Sequence, residues 1–483
     1  MNPITDLTIR QTRLQTRRHF LRNCQVGLGG MALASLAGPG TGLAEEVISG
    51  RIPAAAKAKQ VIYLHMAGSP SQHETLDYKP VLAKWHMKPC PDELMADRSF
   101  PFIKGRPKLL GPQYEFQQHG ESGAWISSLF PKLAGHADKL CVVNSMFTDQ
   151  FNHAPAQLFL HTGTPQFGGA AMGSWITYGL GNENENLPGF MVMVSGGKLP
   201  SGGKQLWGSG FLPGVYQGVQ CRSGAEPILF VNNPPGMSRD IRRSSLDALN
   251  QLNRLESKAF GDPETATRIG QYELAFRMQT AVPEVMDITQ ETPETLELYG
   301  AQPGAGSFAN NCLLARRLVE QGVRFVQLFD WGWDVHGTNP GDDLMTQLPK
   351  KCQQVDQPIS ALLTDLERRG LLKETLVIWG GEFGRTAMNE ARNGSKLLGR
   401  DHHPDCFSIW MAGGGIKPGT RYGETDDFGY TITQDPVGVR DLQATILHLL
   451  GKDPYQFSFP FQGLDQRLIG PANDPRVIQG LLA

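Results

Sequence analysis

The sequence contains no uninterrupted apolar run of about 18 residues, which is the length that a membrane-spanning helix needs. It also lacks a charge imbalance, because 45 Lys and Arg residues stand against 47 Asp and Glu residues in a chain of 483. Proteins that bind nucleic acids by bulk electrostatics carry a basic excess, so we expect no nucleic-acid partner. No P-loop and no glycine-rich dinucleotide fingerprint follows a predicted strand. We therefore expect a folded protein with no integral membrane span in its mature chain.

Cysteine is infrequent, and its spacing excludes some common motifs. None of the seven Cys residues forms a C-x-x-C pair, which argues against a zinc ribbon or a thioredoxin-like motif. Cys24 lies in the N-terminal segment, which leaves six further along the chain. An even number in an oxidising compartment allows one or two disulfides. Cys312 and Cys352, however, lie in helical patterns that are also consistent with a buried core.

The N-terminal segment has the features of an export signal. Residues 1–22 contain five Arg and one acidic residue, and a short run of small apolar residues follows at 24–38. The paired Arg17 and Arg18 resemble a twin-arginine signal. Cleavage after residue 44 would leave a single domain over 45–483, with the twin-arginine export machinery as a partner and a periplasmic or secreted location. The alternative is a basic amphipathic arm.

Helix and strand patterns alternate along much of the mature chain. This order predicts a three-layer α/β/α sandwich, in which helices cover both faces of a mostly parallel sheet. Residues 165–240 are rich in Gly, Pro and Asn and predict an irregular excursion that contains β-structure, and residues 238–300 predict a helical insertion. The predicted strands are 60–66, 139–146, 323–329, 375–380 and 406–413. The predicted helices are 124–134, 153–161, 307–322, 355–370 and 439–451.

Polar side chains follow the predicted strands at the edge where parallel sheets bind ligands, just beyond the carboxyl ends of the strands. Imidazoles mixed with carboxylates suit zinc, manganese or iron, whereas carboxylates alone suit calcium or magnesium better. We expect a divalent metal, with zinc, manganese, iron and calcium as the candidates. The candidate metal ligands are Glu74, Asp334, His336, Glu382, Asp401 and His402. The candidate catalytic residues are His153 and His403 for ligation or acid–base work, and Arg385 and Arg400 for holding an oxyanion.

Most of these residues also have a purely structural interpretation. Asp334 and His336 are consistent with a turn carboxylate and a surface imidazole, and Glu382 with a cap of the segment that follows. His153 is consistent with a capping or core position at the start of a helix. The run 401–403 is harder to explain in this way, because adjacent imidazoles beside an acid in a Gly-flanked loop are unusual. Their occurrence together at successive strand ends favours a functional site.

Five motifs surround these residues, namely G-S-P-S-Q-H-E-T-L-D-Y-K-P, H-A-P-A-Q-L-F-L-H-T-G, G-W-D-V-H, G-E-F-G-R-T and G-R-D-H-H-P. Together they resemble those of a bacterial family, domain of unknown function 1501. Members of that family look like twin-arginine exported relatives of sulfatases within the alkaline phosphatase-like superfamily. The resemblance extends from residue 68 to residue 404, and it implies an alkaline phosphatase-like fold and an anionic ester or glycan substrate.

The resemblance also implies residue roles, some of which depart from a standard sulfatase site. Glu382 would occupy the position of a metal-binding Asp, and Phe383, which cannot bind a metal, the neighbouring His or Asn position. His153 would stand in place of the Cys or Ser nucleophile, as a metal ligand, a general base or a nucleophile. An acidic pair that normally follows the first strand is absent at residues 67–68. Either the family has its own metal site, or catalysis has been lost.

Two functions from different classes are consistent with these residues and motifs. The first is an exported, metal-dependent hydrolase of sulfate or phosphate esters that acts on polysaccharides. The second is a catalytically inactive sulfatase-like protein that binds glycans or a cell-surface partner. A purely structural exported protein has no positive signal beyond the missing nucleophile. We expect the side chains of Trp331 and Trp333 to pack within the fold, with a platform for a sugar ring as the alternative.

Overall fold

A computed structural model describes residues 56–95, 105–221, 228, 233–234, 236–260, 263–390 and 392–483. The predicted signal at 1–44 lies outside the described residues. None of the helices in these ranges is both long enough and apolar enough to cross a membrane.

The described part of the chain is built around one nine-stranded sheet. Its strands in chain order are β1 (Gln60–Ala67), β2 (Cys141–Phe147), β3 (Phe190–Ser195), β4 (Val219–Cys221), β5 (Phe325–Trp331), β6 (Thr375–Gly380), β7 (Phe407–Ala412), β8 (Thr420–Tyr422) and β9 (Val437–Gly438). Their spatial order is β8-β2-β7-β6-β1-β5-β3-β4, and β9 also pairs with β2. The strand β7 runs antiparallel to its neighbours β2 and β6, and the other pairings in this sheet are parallel. The mostly parallel sheet of the sequence prediction is thus confirmed.

Helices connect these strands and cover the sheet. They are α1 (Gln72–Thr75), α2 (Pro80–Lys84), α3 (His153–Thr162), α4 (Met172–Leu180), α5 (Arg239–Phe260), α6 (Pro263–Met286), α7 (Pro293–Tyr299), α8 (Phe308–Glu320), α9 (Gln347–Arg368) and α10 (Val439–Leu449). Capping residues fix where several of these helices begin and end. The Ser307 hydroxyl accepts a hydrogen bond from the Asn310 amide at the start of α8, and Gly163 ends α3 in the left-handed conformation.

Strand alternation divides the buried side chains between two cores, one on each face of the sheet. Ile62 and Leu64 of β1 pack into a core that includes α8 and α9. Val61 and Tyr63 point to the opposite face, where α3, α4 and α10 pack. These two cores make the three-layer α/β/α arrangement, and the helices α5, α6 and α7 form the predicted helical section.

Short ribbons and single-turn helices complete the described structure. Antiparallel ribbons pair Lys108–Leu109 with Met388–Asn389, Phe116–His119 with Ala124–Ser127, Gly384–Arg385 with His402–His403, Glu424–Thr425 with Ile432–Gln434, and Phe459–Phe461 with Leu464–Gln466. The 3-10 turns are Asp92–Leu94, Leu133–Lys139, Gly203–Trp207, Gly214–Tyr216, Ile288–Gln290, Pro340–Asp342, Leu371–Lys373, Arg392–Gly394 and Gln479–Leu481.

Some local predictions were wrong. The helix predicted at 124–134 is a strand, Ala124–Ser127, followed by a 3-10 turn from Leu133, because the strand pairs with Phe116–His119. The helix predicted at 355–370 already begins at Gln347. The excursion at 165–240 contributes two strands, β3 and β4, to the central sheet itself. The six described Cys residues are free and buried, so the disulfides that their number allows are not formed among them.

Candidate metal centre

The candidate site forms where the carboxyl ends of neighbouring parallel strands meet at one edge of the sheet. Residues after β1, β2, β5 and β6, together with the ribbon strand that precedes β7, supply its side chains. Gly68 is required at this edge, because its φ is +105° and a Cβ there would lie 2.4 Å from the backbone nitrogen of Asp334. The end of β1 can therefore approach the loop after β5 closely.

Asp334 lies at the centre of three histidines. His336 Nε2 is 2.8 Å from Asp334 Oδ1, and His402 Nε2 is 3.3 Å from the same oxygen. His153 Nε2 lies 3.2 Å from Asp334 Oδ2. The loop after β5, the start of α3 and the ribbon strand before β7 thus bring four residues that are far apart in sequence to one point.

Each of the three imidazoles is held from behind by an oxygen that can only accept a hydrogen bond. His153 Nδ1 donates to Glu382 Oε1 over 2.7 Å, and His336 Nδ1 donates to Glu390 Oε2 over 2.5 Å. His402 Nδ1 donates to the backbone carbonyl of Phe151 over 3.0 Å. When a ring is neutral, these contacts hold its proton on Nδ1, so its Nε2 lone pair is directed at Asp334 and is available to a metal ion there.

This arrangement fits a divalent metal. One ligand atom from each of His153, Asp334, His336 and His402 can be chosen so that all lie within 4.8 Å of one another. Imidazole nitrogens braced by outer carboxylates or carbonyls are the usual environment of zinc and related metals. His153 Nε2 lies against the Asp334 carboxylate, and in a metal centre the ion would take the place of the proton between them. A second group, His336, Glu390 and Asp401, lies next to the first and shares His336 with it.

The ionisation of the site is strongly perturbed. Burial opposes charge on both His153 and Asp334, but contacts between opposite charges outweigh it. Hydrogen bonds to Asp334 and Glu382 raise the pKa of His153 to about 9. Arg385 and the histidines hold the pKa of Asp334 far below its usual range. Burial lowers the pKa of His402 to about 3, so this ring is neutral at physiological pH.

The outer acid Glu382 is fully buried and does not belong to the four-residue group. Its Oε1 accepts hydrogen bonds from His153, from Gln157 Nε2 over 2.8 Å and from the amide of Gly68 over 3.1 Å. Its Oε2 lies 3.2 Å from His65 Nε2. Glu382, which the sequence predicted as a metal ligand, thus orients His153 from behind.

Arg385 also differs from its predicted role. Its buried guanidinium donates to Asp334 Oδ1 over 2.7 Å and to the carbonyls of Gly68, Ser69 and Arg400. The arginine therefore fixes Asp334 and the loop after β1 instead of presenting a free fork to an oxyanion.

Glu74 and Arg400 form a separate ion pair. Arg400 Nη2 lies 2.6 Å from Glu74 Oε1, and Arg400 Nε lies 3.0 Å from Glu74 Oε2, with both side chains fully buried. The remaining contacts of this guanidinium are the carbonyls of Thr386 and Gly111. Glu74, predicted as a metal ligand, thus lies outside the four-residue group, and the described contacts of Arg400, predicted to hold an oxyanion, are all internal.

The neighbouring residues at 401–403 take different positions. In a strand, successive side chains point to opposite faces, so His402 and His403 cannot face the same point. His403 stacks on Tyr430 with ring centroids 4.4 Å apart, and its Nε2 lies 2.7 Å from the Tyr430 carbonyl. This residue, predicted to be catalytic, therefore points away from Asp334. Asp401 accepts a hydrogen bond from the His402 amide, and burial raises its pKa to about 6.

Several residues that support the site were not predicted from the sequence. Gln157 and His161 follow the predicted His153 at intervals of four residues. All three therefore share one face of α3, a spacing that the sequence does show. His161 Nε2 lies 3.2 Å from His65 Nδ1, which continues the polar chain from Glu382 into the core. Glu390 is buried, yet it gives no sequence signal, because it follows a strand of only two residues.

Several solved structures are similar to the chain. They include a sulfatase, PsFucS1, from Pseudoalteromonas sp., which is 13% identical, with 87% of this chain and 73% of that chain covered and a TM-score of 0.35. The lipoteichoic acid synthase LtaP from Listeria monocytogenes is 10% identical, with 88% and 79% covered and a TM-score of 0.35. An alkaline phosphatase from the Antarctic bacterium TAB5 is 10% identical, with 82% and 99% covered and a TM-score of 0.32. No curated protein matches the chain.

The family comparison covers most of the sequence. The model of the family described as "Protein of unknown function (DUF1501)" matches residues 58–482, which include each residue of the candidate metal centre. The chain therefore belongs to the DUF1501 family, as its motifs predicted.

Proposed function

We propose that the protein is a metal-dependent hydrolase of sulfate or phosphate esters. The observation that carries this proposal is the convergence of three imidazole Nε2 atoms on Asp334, each ring braced through Nδ1 by an outer acceptor. In a metal centre each neutral ring would direct its Nε2 lone pair at the ion while the outer acceptor holds the Nδ1 proton.

The side chains suggest how the reaction would be divided among them. A bound divalent metal would polarise the ester oxygen and acidify a water molecule. His153, His336, His402 and Asp334 would hold it, and the three imidazoles favour zinc, manganese or iron over calcium. Both ring nitrogens of His153 are engaged, by Glu382 and at Asp334, so this residue serves as a ligand and not as a nucleophile. Attack by water is therefore the expected chemistry.

The cellular setting of this reaction is also part of the proposal. The twin-arginine pattern at Arg17 and Arg18 supports export by that machinery to the periplasm or the outside of the cell. An exported esterase of this kind would act on anionic esters such as those of polysaccharides.

Metal content and turnover test the proposal together. The mature protein, purified without chelators, is expected to contain about one equivalent of zinc, manganese or iron by elemental mass spectrometry. It should hydrolyse 4-nitrophenyl sulfate or phosphate, and His336→Ala should lose both metal and turnover. A metal-free, folded protein that gains no thermal stability on titration with these ions would contradict the proposal.

One observation favours a second function, an inactive glycan-binding or surface-binding protein. Arg385 and Arg400, the arginines predicted to hold the oxyanion, both bind internal partners. If the protein binds metal but hydrolyses no member of a broad panel of sulfate and phosphate esters, the binding function becomes the better account.

A further inference from the structure

A cavity of about 420 Å³ opens directly beside the candidate metal centre, and Asp334 borders both. One wall is formed by Trp331 and Gly332, at and just after the end of β5. The other is formed by the first turns of α9, where Gln347, Lys350, Lys351 and Gln354 lie three or four residues apart and so share one helix face. The cavity is therefore placed to receive the part of a substrate that continues from the reacting ester.

The two tryptophans of this loop have different surroundings. Trp333 is buried, donates through Nε1 to Asp330 Oδ2 over 2.9 Å and packs edge-on against Trp379. Trp331 is only half-buried and lines the cavity. Trp333 is thus a packing residue, whereas Trp331 offers an aromatic surface to a ligand.

The charges around the cavity are largely balanced. Lys351 lies 2.6 Å from Asp330 Oδ2 and is neutralised by it. The Asp342 carboxylate accepts hydrogen bonds from Thr338 and Asn339 in its own turn. Lys350 is exposed and makes no ion pair within the described ranges. Gln347 Nε2 donates to the Gly332 carbonyl over 3.0 Å. What remains for a ligand is the partly exposed Trp331, the amide of Gln354, the amide oxygen of Gln347, one ammonium group and the Asp342 carboxylate.

We infer that this cavity binds a sugar ring whose sulfate or phosphate ester lies at the metal centre. A pyranose presents C–H groups to an aromatic surface and hydroxyls to amide and ammonium groups, which is the combination found here. A purely apolar leaving group would make no use of Gln354 and Lys350, and a polyanion would meet too little positive charge. The inference rests on the proposed function, since it assigns the leaving group of that reaction.

Direct binding tests the cavity independently of catalysis. The full mature protein, both metal-depleted and metal-loaded, would be applied to an array of sulfated, phosphorylated and unsubstituted oligosaccharides. The strongest binder would then be measured by titration calorimetry against wild type and Trp331→Ala. We expect the variant to lose affinity at least about tenfold. Trp85→Ala, which alters a half-buried tryptophan outside the cavity, should bind as wild type does.

A second variant controls for the case in which Trp331→Ala does not fold. Gln354 is exposed on α9, so Gln354→Leu should fold normally and still weaken sugar binding. Trp85→Ala, outside the cavity, should leave the turnover of 4-nitrophenyl esters unchanged if the protein is an esterase. Absence of any oligosaccharide binding, or full affinity in both variants, would overturn the inference whether or not the protein holds a metal. Absence of metal with cavity-dependent sugar binding would instead contradict the proposed hydrolysis alone.

Discussion

The cluster around Asp334 and the Glu74–Arg400 pair lie close together at the same edge of the sheet, yet they differ in how their polar groups are satisfied. The guanidinium of Arg400 binds the carboxylate of Glu74 and two backbone carbonyls, so the charges of the pair close on each other. In the cluster, three rings are braced from outside and their Nε2 atoms face inward to one point. The pair therefore closes on itself, whereas the cluster gathers three ring nitrogens around one carboxylate, an arrangement that suits a bound cation. Burial and charge alone do not distinguish the two; the direction of the ring nitrogens does.

The largest expected effect follows from removing the centre of the cluster. Asp334→Asn keeps the shape of the side chain but removes the charge that the histidines and Arg385 share. We expect loss of bound metal and a fall in ester hydrolysis of about a thousandfold, because the metal contributes several kcal/mol of transition-state stabilisation. Asp342→Asn in the same loop is the matched control and should retain metal. Normal metal content in Asp334→Asn would remove the functional distinction between the two regions.

Breaking the Glu74–Arg400 ion pair should instead lower the stability of the fold and leave metal binding intact. Glu74→Gln leaves the Arg400 charge buried without its partner, which typically costs about 3–5 kcal/mol of unfolding free energy. Denaturant unfolding measures this loss, and metal content at low temperature should stay unchanged. The double variant Glu74→Met with Arg400→Met should recover much of the stability. A stable Glu74→Gln protein without metal would instead indicate that Glu74 serves the metal site.

The outer acceptors should have an intermediate effect on metal affinity. Glu390→Gln and Glu382→Gln replace the carboxylates behind His336 and His153, and we expect each to weaken metal binding about 10–100-fold. Competition with a chromophoric chelator measures the affinity, and Glu297→Gln on α7, an exposed acid, provides the control. Unchanged affinity in both variants would mean that the bracing contacts are incidental.

The smallest effects concern single protons in the metal-free protein. Burial, helped by Arg400, lowers the pKa of His73 well below its ordinary 6.5, so the stability that His73 contributes is lost as pH falls below that value. The pKa of His153 is raised to about 9, so its contribution is present below pH 6.5 and lost as pH rises through 9. The free energy of unfolding, measured from pH 5 to 9.5, should depend less on pH on the acid side in His73→Gln and on the alkaline side in His153→Gln. The reverse assignment would contradict both pKa directions.

The secondary structure could be predicted from sequence wherever a local pattern was strong. The strands β1, β2, β5, β6 and β7 and the helices α3, α8 and α10 lie within about two residues of their predicted ranges, because each is a buried run or an amphipathic repeat with a clear stop. The segment at 124–134 was predicted wrongly, because its short strand depends on pairing with Phe116–His119. The sequence left open whether disulfides form, for a similar reason, since it gives the number of cysteines but not their separations in space.

The sequence by itself determined the family, the alternation of helices and strands, and the concentration of imidazoles and carboxylates at strand ends. These are local properties, set by residue type and spacing along the chain. Only the tertiary structure decided which of those residues meet. Within the run Arg400–His403, one side chain closes on Glu74, one faces Asp334 and one stacks on Tyr430. Strand alternation and the packing of distant loops separate neighbours in sequence, and the same packing brings His153, Asp334, His336 and His402 to one point.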